Sequence, residues 1–295
     1  DNPDVIHFSF SGIAAEFNQV IGIGLPAKVF VSCRGSAEKI RPLTDSSRAD
    51  KLMKVFSLVD KIHCVSDDMR HTISPFLSDE SKVFINYPSM DTSKFKYARR
   101  RFLYLNNKEI PYKILSTGRL HFQKGYVHAL GAIKLLKDSG LFFEYHICGG
   151  GPEEGLLRYM IQELGLQDSV ILHGKVSSKT VQELLLEADA FLLPSIYEGI
   201  ANAALEAIAT GVPILTTTAG GMAEVIENKV NGLIVERFSS EELYKGLKYL
   251  HDYPSEAQRY AEEARDTLTK RFTLERQIEV FDFEYQTILE KTSPI

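Results

Sequence analysis

Ala188-Asp189-Ala190-Phe191-Leu192-Leu193-Pro194-Ser195, continuing as Ile196-Tyr197-Glu198-Gly199-Ile200-Ala201-Asn202-Ala203-Ala204-Leu205-Glu206, is the stretch on which the fold turns. The run Ala190–Leu193 is apolar, short as a strand is short, and stops at Pro-Ser. From Ala201 strong helix formers continue to Gly211, which reads as a helix stop. The order is therefore strand, loop, helix. Glu198 falls in the loop and Glu206 about one turn into the helix. Between them lie Gly199 and the unpaired N–H groups of a helix N-terminus, which attract anions. Two fixed carboxylates beside such a site suit a ligand carrying both hydroxyls and phosphates, as a nucleotide sugar does. A bare pair at this spacing also arises from an unrelated loop glutamate and helix glutamate.

Outward from this stretch the same alternation recurs. Ile114–Thr117, Glu144–Ile147, Val170–Leu172, Phe191–Leu193 and Ile214–Thr216 read as strands. Segments 126–138, 153–164, 179–187, 201–210 and 240–250 carry helical periodicity. Strands alternating with helices of this length predict βαβ units and a parallel sheet. Ligands of such sheets bind beyond the carboxyl ends of the strands. Arg119, Gly149, Gly174, Ser195 and Glu198 each fall at such an exit.

Upstream, Val5–Phe8, Val29–Ser32, Ile62–Val65 and Val83–Asn86 read as four more strands, and Ser66 before Asp67 and Asp68 as a helix start. The charged, Asn-rich stretch 95–110 before Pro111 reads as the domain boundary. The expected organisation is an acceptor-side Rossmann-like domain over 1–107, a donor-binding one over 108–255, and helices over 256–295 returning toward the first.

The chain has 295 residues and is 44% hydrophobic, enough for two packed cores. No apolar stretch reaches the length of a membrane span. Its three cysteines, Cys33, Cys64 and Cys148, are scattered, which suits a reducing cytoplasm and small buried side chains. No His, Cys or D-x-D spacing suggests a metal ligand set, so no metal is expected. Residues 1–107 carry 15 Lys and Arg against 12 Asp and Glu, whereas the whole chain carries −5. That balance, without a recognition motif, argues against nucleic acid. The local cluster Lys94, Lys96, Arg99, Arg100 and Arg101, interleaved with Phe95, Tyr97 and Phe102, reads as a solvated linker. The alternative is contact with an anionic membrane surface or a lipid-linked acceptor, which would place the protein peripherally on the inner face of the membrane.

Several motifs occur in a fixed order: Ser116-Thr117-Gly118-Arg119-Leu120 with Gln123-Lys124-Gly125, Cys148-Gly149-Gly150-Gly151-Pro152, Val170–Gly174, the glutamate pair, Gly211-Val212-Pro213, Thr218–Gly221 and Asn231-Gly232-Leu233-Ile234-Val235. Together, over roughly residues 112–250, they resemble glycosyltransferase family 4, the group 1 glycosyl transferases. The resemblance implies an α/β fold of the GT-B type, with two Rossmann-like parallel-sheet domains facing across a cleft. It further implies a nucleoside-diphosphate-sugar donor, UDP- or GDP-linked, no other cofactor, and retention of configuration without a metal. A glycan or lipid-linked acceptor and surface polysaccharide synthesis complete the implied setting.

On that resemblance Arg119 and Lys124 neutralise the departing diphosphate, with helix N-terminal groups at Gly199, Ile200, Ala201 and Asn202. Losing one such contact typically costs roughly 10²–10³ in rate. Glu206 accepts from the ribose hydroxyls and Glu198 from the transferred sugar, not as a covalent nucleophile. Gly174, Lys175 and Val176 meet the base edge. Gly118, Gly149, Gly150 and Ser195 line the donor, the glycines admitting a close approach. The plainer readings are surface charges at Arg119 and Lys124 and a tight strand-to-helix turn at Gly149–Gly151. Two positions depart from the family pattern. Where many members carry two histidines after the first strand, this chain has His7 and Ser9; where many carry His-Gly it has Arg34-Gly35. Arg34 could hold an acceptor phosphate through its planar fork, or form a surface ion pair, and His7 could be a packed strand-end residue.

Family members usually carry several βα units before the strand matching Val5–His7. The expectation is therefore an incomplete N-terminal domain, either shortened or completed by another chain. Its open sheet edge would be covered by a partner, a symmetric copy or the returning C-terminal helix. Competing readings are the donor-binding half of a split transferase, inactive without its partner, a nucleotide-sugar epimerase or phosphorylase on the same fold, and a plain structural protein.

Overall fold

The computed structural model describes residues 3–105 and 107–290; the expected domain limits at residues 1 and 295 lie outside them. The described residues divide into two units. One runs up to Ser89 and resumes at Phe272; the other is Met90–Arg271.

The first unit is built on β1 (Val5–Phe8), β2 (Lys28–Cys33), β3 (Lys61–Cys64) and β4 (Val83–Ile85), side by side in that order and all parallel. Between them run α1 (Ser11–Glu16), α2 (Asn18–Gly22), α3 (Ser36–Lys39), α4 (Arg41–Thr44), α5 (Ser46–Leu58) and α6 (Asp67–Ile73). Ser66 caps α6 as the sequence predicts, accepting from the Met69 amide at 3.1 Å with Asp67 and Asp68 in the first turn. Cys33 and Cys64 stand opposite each other in register, buried with Val31 and Ile62; Cys148 of the second unit is buried as well, and all three thiols are free.

The second unit has β5 (Tyr112–Thr117), β6 (Phe143–Cys148), β7 (Val170–Gly174), β8 (Ala190–Leu193), β9 (Ile214–Thr217) and β10 (Leu233–Val235), all parallel in the order β10-β9-β8-β5-β6-β7. The helices are α7 (Tyr126–Asp138), α8 (Glu154–Glu163), α9 (Ser178–Glu187), α10 (Asn202–Thr210), α11 (Ser240–Asp252) and α12 (Pro254–Arg271). Tyr112, Tyr145, Leu130, Leu192 and Leu215 sit in one core. The strand order reverses between β5 and β8, so their exits open a crevice at the carboxyl end of the sheet. β10 was legible only as a motif. Three apolar residues after Asn-Gly are too short a run to read as a strand.

Two expectations about the connection are corrected. The expected boundary at 107/108 falls inside the second unit, and one member of the basic cluster, Arg100, is buried, although Lys94, Lys96, Arg99 and Arg101 are exposed as a solvated stretch would be. Arg100 is 9% exposed. Its Nη1 donates to the carbonyls of Leu185, Leu186 and Ala188, its Nη2 to Thr210 and its Nε to Gly211, at 2.6–3.1 Å. One guanidinium thus satisfies the last carbonyls of both α9 and α10, where helix dipoles favour a cation. Burial lowers its pKa to about 10, with nearby Asp189 opposing the fall. Arg99 pairs with Glu262, and Arg265 lies 4.4 Å over the Tyr97 ring.

The second correction concerns the C-terminal helices. α12 stays with the second unit, so the chain rejoins the first unit at Phe272, not at 256. The last helix, α13 (Leu274–Glu290), lies across the face of the four-stranded sheet, not along an edge. Its Phe281 and Tyr285 rings meet His7, Phe30, His63 and Phe84 from all four strands, and Glu284 pairs with Lys61 at 2.7 Å. The outer edge of β1 pairs with no strand among the described residues.

Candidate active site

The exits of β5, β6 and β7 are laced together through backbone. The Gly118 amide donates to the Cys148 carbonyl at 2.9 Å, and the Gly149 amide to the Gly174 carbonyl at 2.8 Å. Gly149 has φ of 152°, and a Cβ there would stand 1.8 Å from the Gly118 carbonyl oxygen. Only glycine fits, and the exits approach this closely because it does. The result is a cavity of about 940 Å³, within the size range of small-molecule sites. Gly118, Arg119, Gly149, Gly150, Lys175, Val176 and Glu206 of the expected donor residues line it.

Glu206 is the informative member. It is half-buried on α10, and burial alone pushes its carboxyl above the ordinary value. Among the described residues it has no hydrogen-bond or ion-pair partner. Arg119, exposed and lining the same cavity, has none either. A partly desolvated carboxylate without a partner is costly unless a ligand supplies donors. The cavity therefore sets an acceptor-only group at one place and the cations of Arg119 and Lys175 at others.

A second cluster lies beside the cavity. The Lys124 ammonium pairs with Glu198 Oε1, and the Ser195 hydroxyl donates to the same oxygen at 3.0 Å. The two side chains are 21% and 14% exposed. Sequence makes this possible locally. His121 and Gly125 bracket the short turn Phe122–Lys124, and the Gln123 carbonyl accepts from the Ile196 amide at 2.8 Å, tying the Lys124 loop to the Glu198 loop. From the other side Gly220, φ 60°, packs so that a Cβ would lie 1.8 Å from the Glu198 carbonyl oxygen. A Gly118 Cβ would meet Lys124 Cε at 3.3 Å, so the pair adjoins the cavity at that glycine.

The remaining expected residues are placed differently. Ser195 is fully buried and its hydroxyl is engaged by Glu198, so it positions the carboxylate and does not face the cavity. Gly174 serves through its carbonyl, and Gly199 through its carbonyl to Gly221 at 2.9 Å. Ile200, Ala201 and Asn202 form the entry of α10, which has no side-chain cap, but do not line the cavity. In the first unit His7 is a packed strand residue. Its Nδ1 meets Tyr285 Oη at 2.6 Å and its Nε2 meets Ser32 Oγ at 2.9 Å, leaving no nitrogen for an acceptor. Arg34 is exposed, 5.6 Å over the Phe10 ring and in no ion pair among the described residues; Ser9 is exposed just past β1. Among the described residues no group of three or more His, Cys, Asp or Glu is placed to hold a metal ion.

Sequence reasoning missed Lys94, Phe95, Ser178, Val181 and Gln182, which also line the cavity. Ser178, Val181 and Gln182 stand at i, i+3 and i+4, one face of α9, a signal that was available. Phe95 had none beyond its place in an aromatic and basic run.

The chain is 28% identical over 295 residues to a protein of Salmonella typhimurium provisionally named colanic acid biosynthesis glycosyltransferase WcaL, covering 96% of this chain and 67% of that one. It is 28% identical over 245 residues to the amylovoran biosynthesis glycosyltransferase AmsK of Erwinia amylovora, covering 81% and 58%. The chain thus spans 58 to 67% of the length of these relatives. Among solved structures, HepE of Anabaena in complex with UDP superposes with a TM-score of 0.82 at 16% identity, over 96% of this chain and 79% of that one. Sucrose-phosphate synthase of Thermosynechococcus elongatus gives 0.86 at 16%, over 98% and 74%. These likenesses show a GT-B fold of two parallel-sheet α/β domains. The family model for glycosyl transferases group 1 matches residues 103–267, more than half of the chain, and the chain belongs to that family.

Proposed function

We propose that this chain binds a nucleoside-diphosphate sugar in the second unit and transfers the sugar to a glycan or lipid-linked acceptor, in surface polysaccharide synthesis. The observation that carries the reading is the Glu206 carboxylate, unpartnered among the described residues, in a cavity that Arg119 and Lys175 also line. Carboxylate and cations match the two ends of such a donor: ribose hydroxyls to donate, diphosphate oxygens to accept. HepE has been solved with UDP and with UDP-glucose, which supports a uridine donor, with GDP-sugars the other choice. The names of WcaL and AmsK support the polysaccharide setting.

In this reading Arg119 meets the diphosphate as it binds, and Lys124 turns from Glu198 toward it as negative charge grows on the leaving group. Stabilising charge where it develops raises kcat, not merely affinity. Glu198 keeps one oxygen without a partner among the described residues, placed to accept from a hydroxyl of the transferred sugar. Retention of configuration and independence of a metal belong to the same proposal, as does a cytoplasmic location. No described helix is long and apolar enough to cross a membrane.

The test is calorimetric titration with UDP, GDP and ADP, with and without EDTA, followed by donor turnover. One nucleotide should bind in the micromolar range regardless of EDTA. Glu206→Ala should mainly weaken that binding, whereas Lys124→Ala should mainly lower kcat, by roughly 10²–10³. Wild-type kinetics in both variants would sink the assignment. Binding without transfer would favour the donor-binding half of a split transferase, a reading that the unpaired outer edge of β1 keeps in view.

A further inference from the structure

We propose that Phe95, from the connecting segment ahead of the family-matched region, forms with Val181 and Gln182 of α9 the surface on which the nucleotide's base lies. The inference rests on the donor-site reading above and assigns its nucleoside end. Phe95, Val181 and Gln182 line the same cavity as Val176 and Glu206. The Phe95 ring is only partly covered and touches no other ring among the described residues. Gln182 is partly buried, and its amide has no hydrogen-bond partner among the described residues. Packing explains neither. A flat heterocycle presents an apolar face and a polar edge, and an open aromatic ring next to an idle amide answers both.

The position of Phe95 follows from the connector's docking. Arg100 anchors the segment to the ends of α9 and α10, and the Ala98 amide donates to the Thr210 carbonyl at 3.2 Å. Reading back along the chain from that anchor, Phe95 is held where the cavity wall continues. Glu206, on α10, then takes the ribose between the base on Phe95 and the phosphates near Arg119. The Gln182 amide offers both a donor and an acceptor, so it meets the edge of uracil, guanine or adenine alike. Phe95 sets how tightly a base is held, not which base.

The full chain and its Phe95→Leu, Phe95→Trp and Gln182→Ala variants are titrated calorimetrically with UDP, GDP, ADP and inorganic pyrophosphate. For the nucleotide that the wild type binds, Phe95→Leu should weaken affinity roughly 5- to 100-fold, the range of base stacking on an aromatic. Phe95→Trp should retain it, and Gln182→Ala should cost roughly 3- to 10-fold. Pyrophosphate affinity and Tm should be the same in all four proteins. Unchanged nucleotide affinity in Phe95→Leu and Gln182→Ala would overturn the inference while leaving the donor site standing. Equal loss of nucleotide and pyrophosphate, with a lower Tm, would also overturn it, because Phe95 would then act only through folding. A wild type that binds none of the three nucleotides would instead overturn the donor-site reading itself.

Discussion

One hydroxyl orders a whole proton chain under α13. His63 Nε2 sits 2.8 Å from the Asn86 carbonyl, which can only accept, so that nitrogen carries the proton. His63 Nδ1 must then accept from Ser32 Oγ at 2.8 Å, Ser32 accepts in turn from His7 Nε2, and His7 Nδ1 accepts from Tyr285. The arrangement is complete only while both rings are neutral. Burial first, and then the charge of Arg34, lower the pKa of each histidine to about 4. The folded state therefore binds fewer protons than the unfolded chain between pH 6.5 and 4. The stabilisation is fully present above pH 6.5 and is lost as pH falls through that window. For His63, which is 1% exposed, this amounts to about 3 kcal/mol. The more open His7 contributes less. Denaturant unfolding of the wild type should weaken from pH 6.5 to 4, and His63→Gln should weaken much less over the same window. Parallel pH profiles for the two proteins would contradict the proton chain.

At the scale of elements, Arg100 supplements the backbone caps at the C-termini of α9 and α10, where Ala188 and the left-handed Gly211 already bond back into their helices. Five carbonyls of two helices and the turns after them converge on one guanidinium. Arg100→Ala removes their shared donor, and should destabilise the second unit by roughly 3–5 kcal/mol, as the loss of one partner from a buried charged network does. Arg100→Lys should recover only part, because a single ammonium cannot span them. A fall in unfolding midpoint within error of an exposed-site control, such as Lys245→Ala, would show that the connector does not hold these helices. The helices of the second unit were largely legible from periodicity, and α7 was read over its whole observed span, whereas α1 to α5 of the first unit were not read. What was not legible was how their ends are satisfied. Arg100 sits 85 residues or more from the carbonyls it serves, and nothing in the local run Arg99-Arg100-Arg101 distinguishes it from its exposed neighbours. The same blindness moved the boundary from 89/90 to 107/108, since charge and asparagine content describe a segment's composition, not what it packs against.

For the whole molecule, the parallel sheet of the second unit and its reversal between β5 and β8 bring scattered sequence motifs to one end. Short apolar runs, glycines and the glutamate pair were enough to foresee that Gly118, Arg119, Gly149, Lys175 and Glu206 converge. They were not enough to show that Lys124 and Glu198 are each other's partners, or that Ser195 is spent on positioning Glu198, because such contacts cross between strand exits. In the first unit the pattern Val5–His7 suggested a site at a strand exit, yet Tyr285 of α13, joining from the far end of the chain, takes up one nitrogen of His7 and Ser32 of β2 the other. A donor site organised around Glu206 is the proposal that this convergence supports most directly.

The measurement that tests this is the affinity of the nucleoside diphosphate that the wild type binds, set beside its 2′-deoxy and 3′-deoxy forms, in wild type and in Glu206→Ala. A hydrogen bond from a ribose hydroxyl to a carboxylate predicts that at least one deoxy form binds the wild type roughly tenfold or more weakly. It also predicts that this penalty largely vanishes in Glu206→Ala, where the partner is already gone. Equal binding of ribo and deoxy forms by the wild type, or the same deoxy penalty in both proteins, would contradict a donor site organised around Glu206.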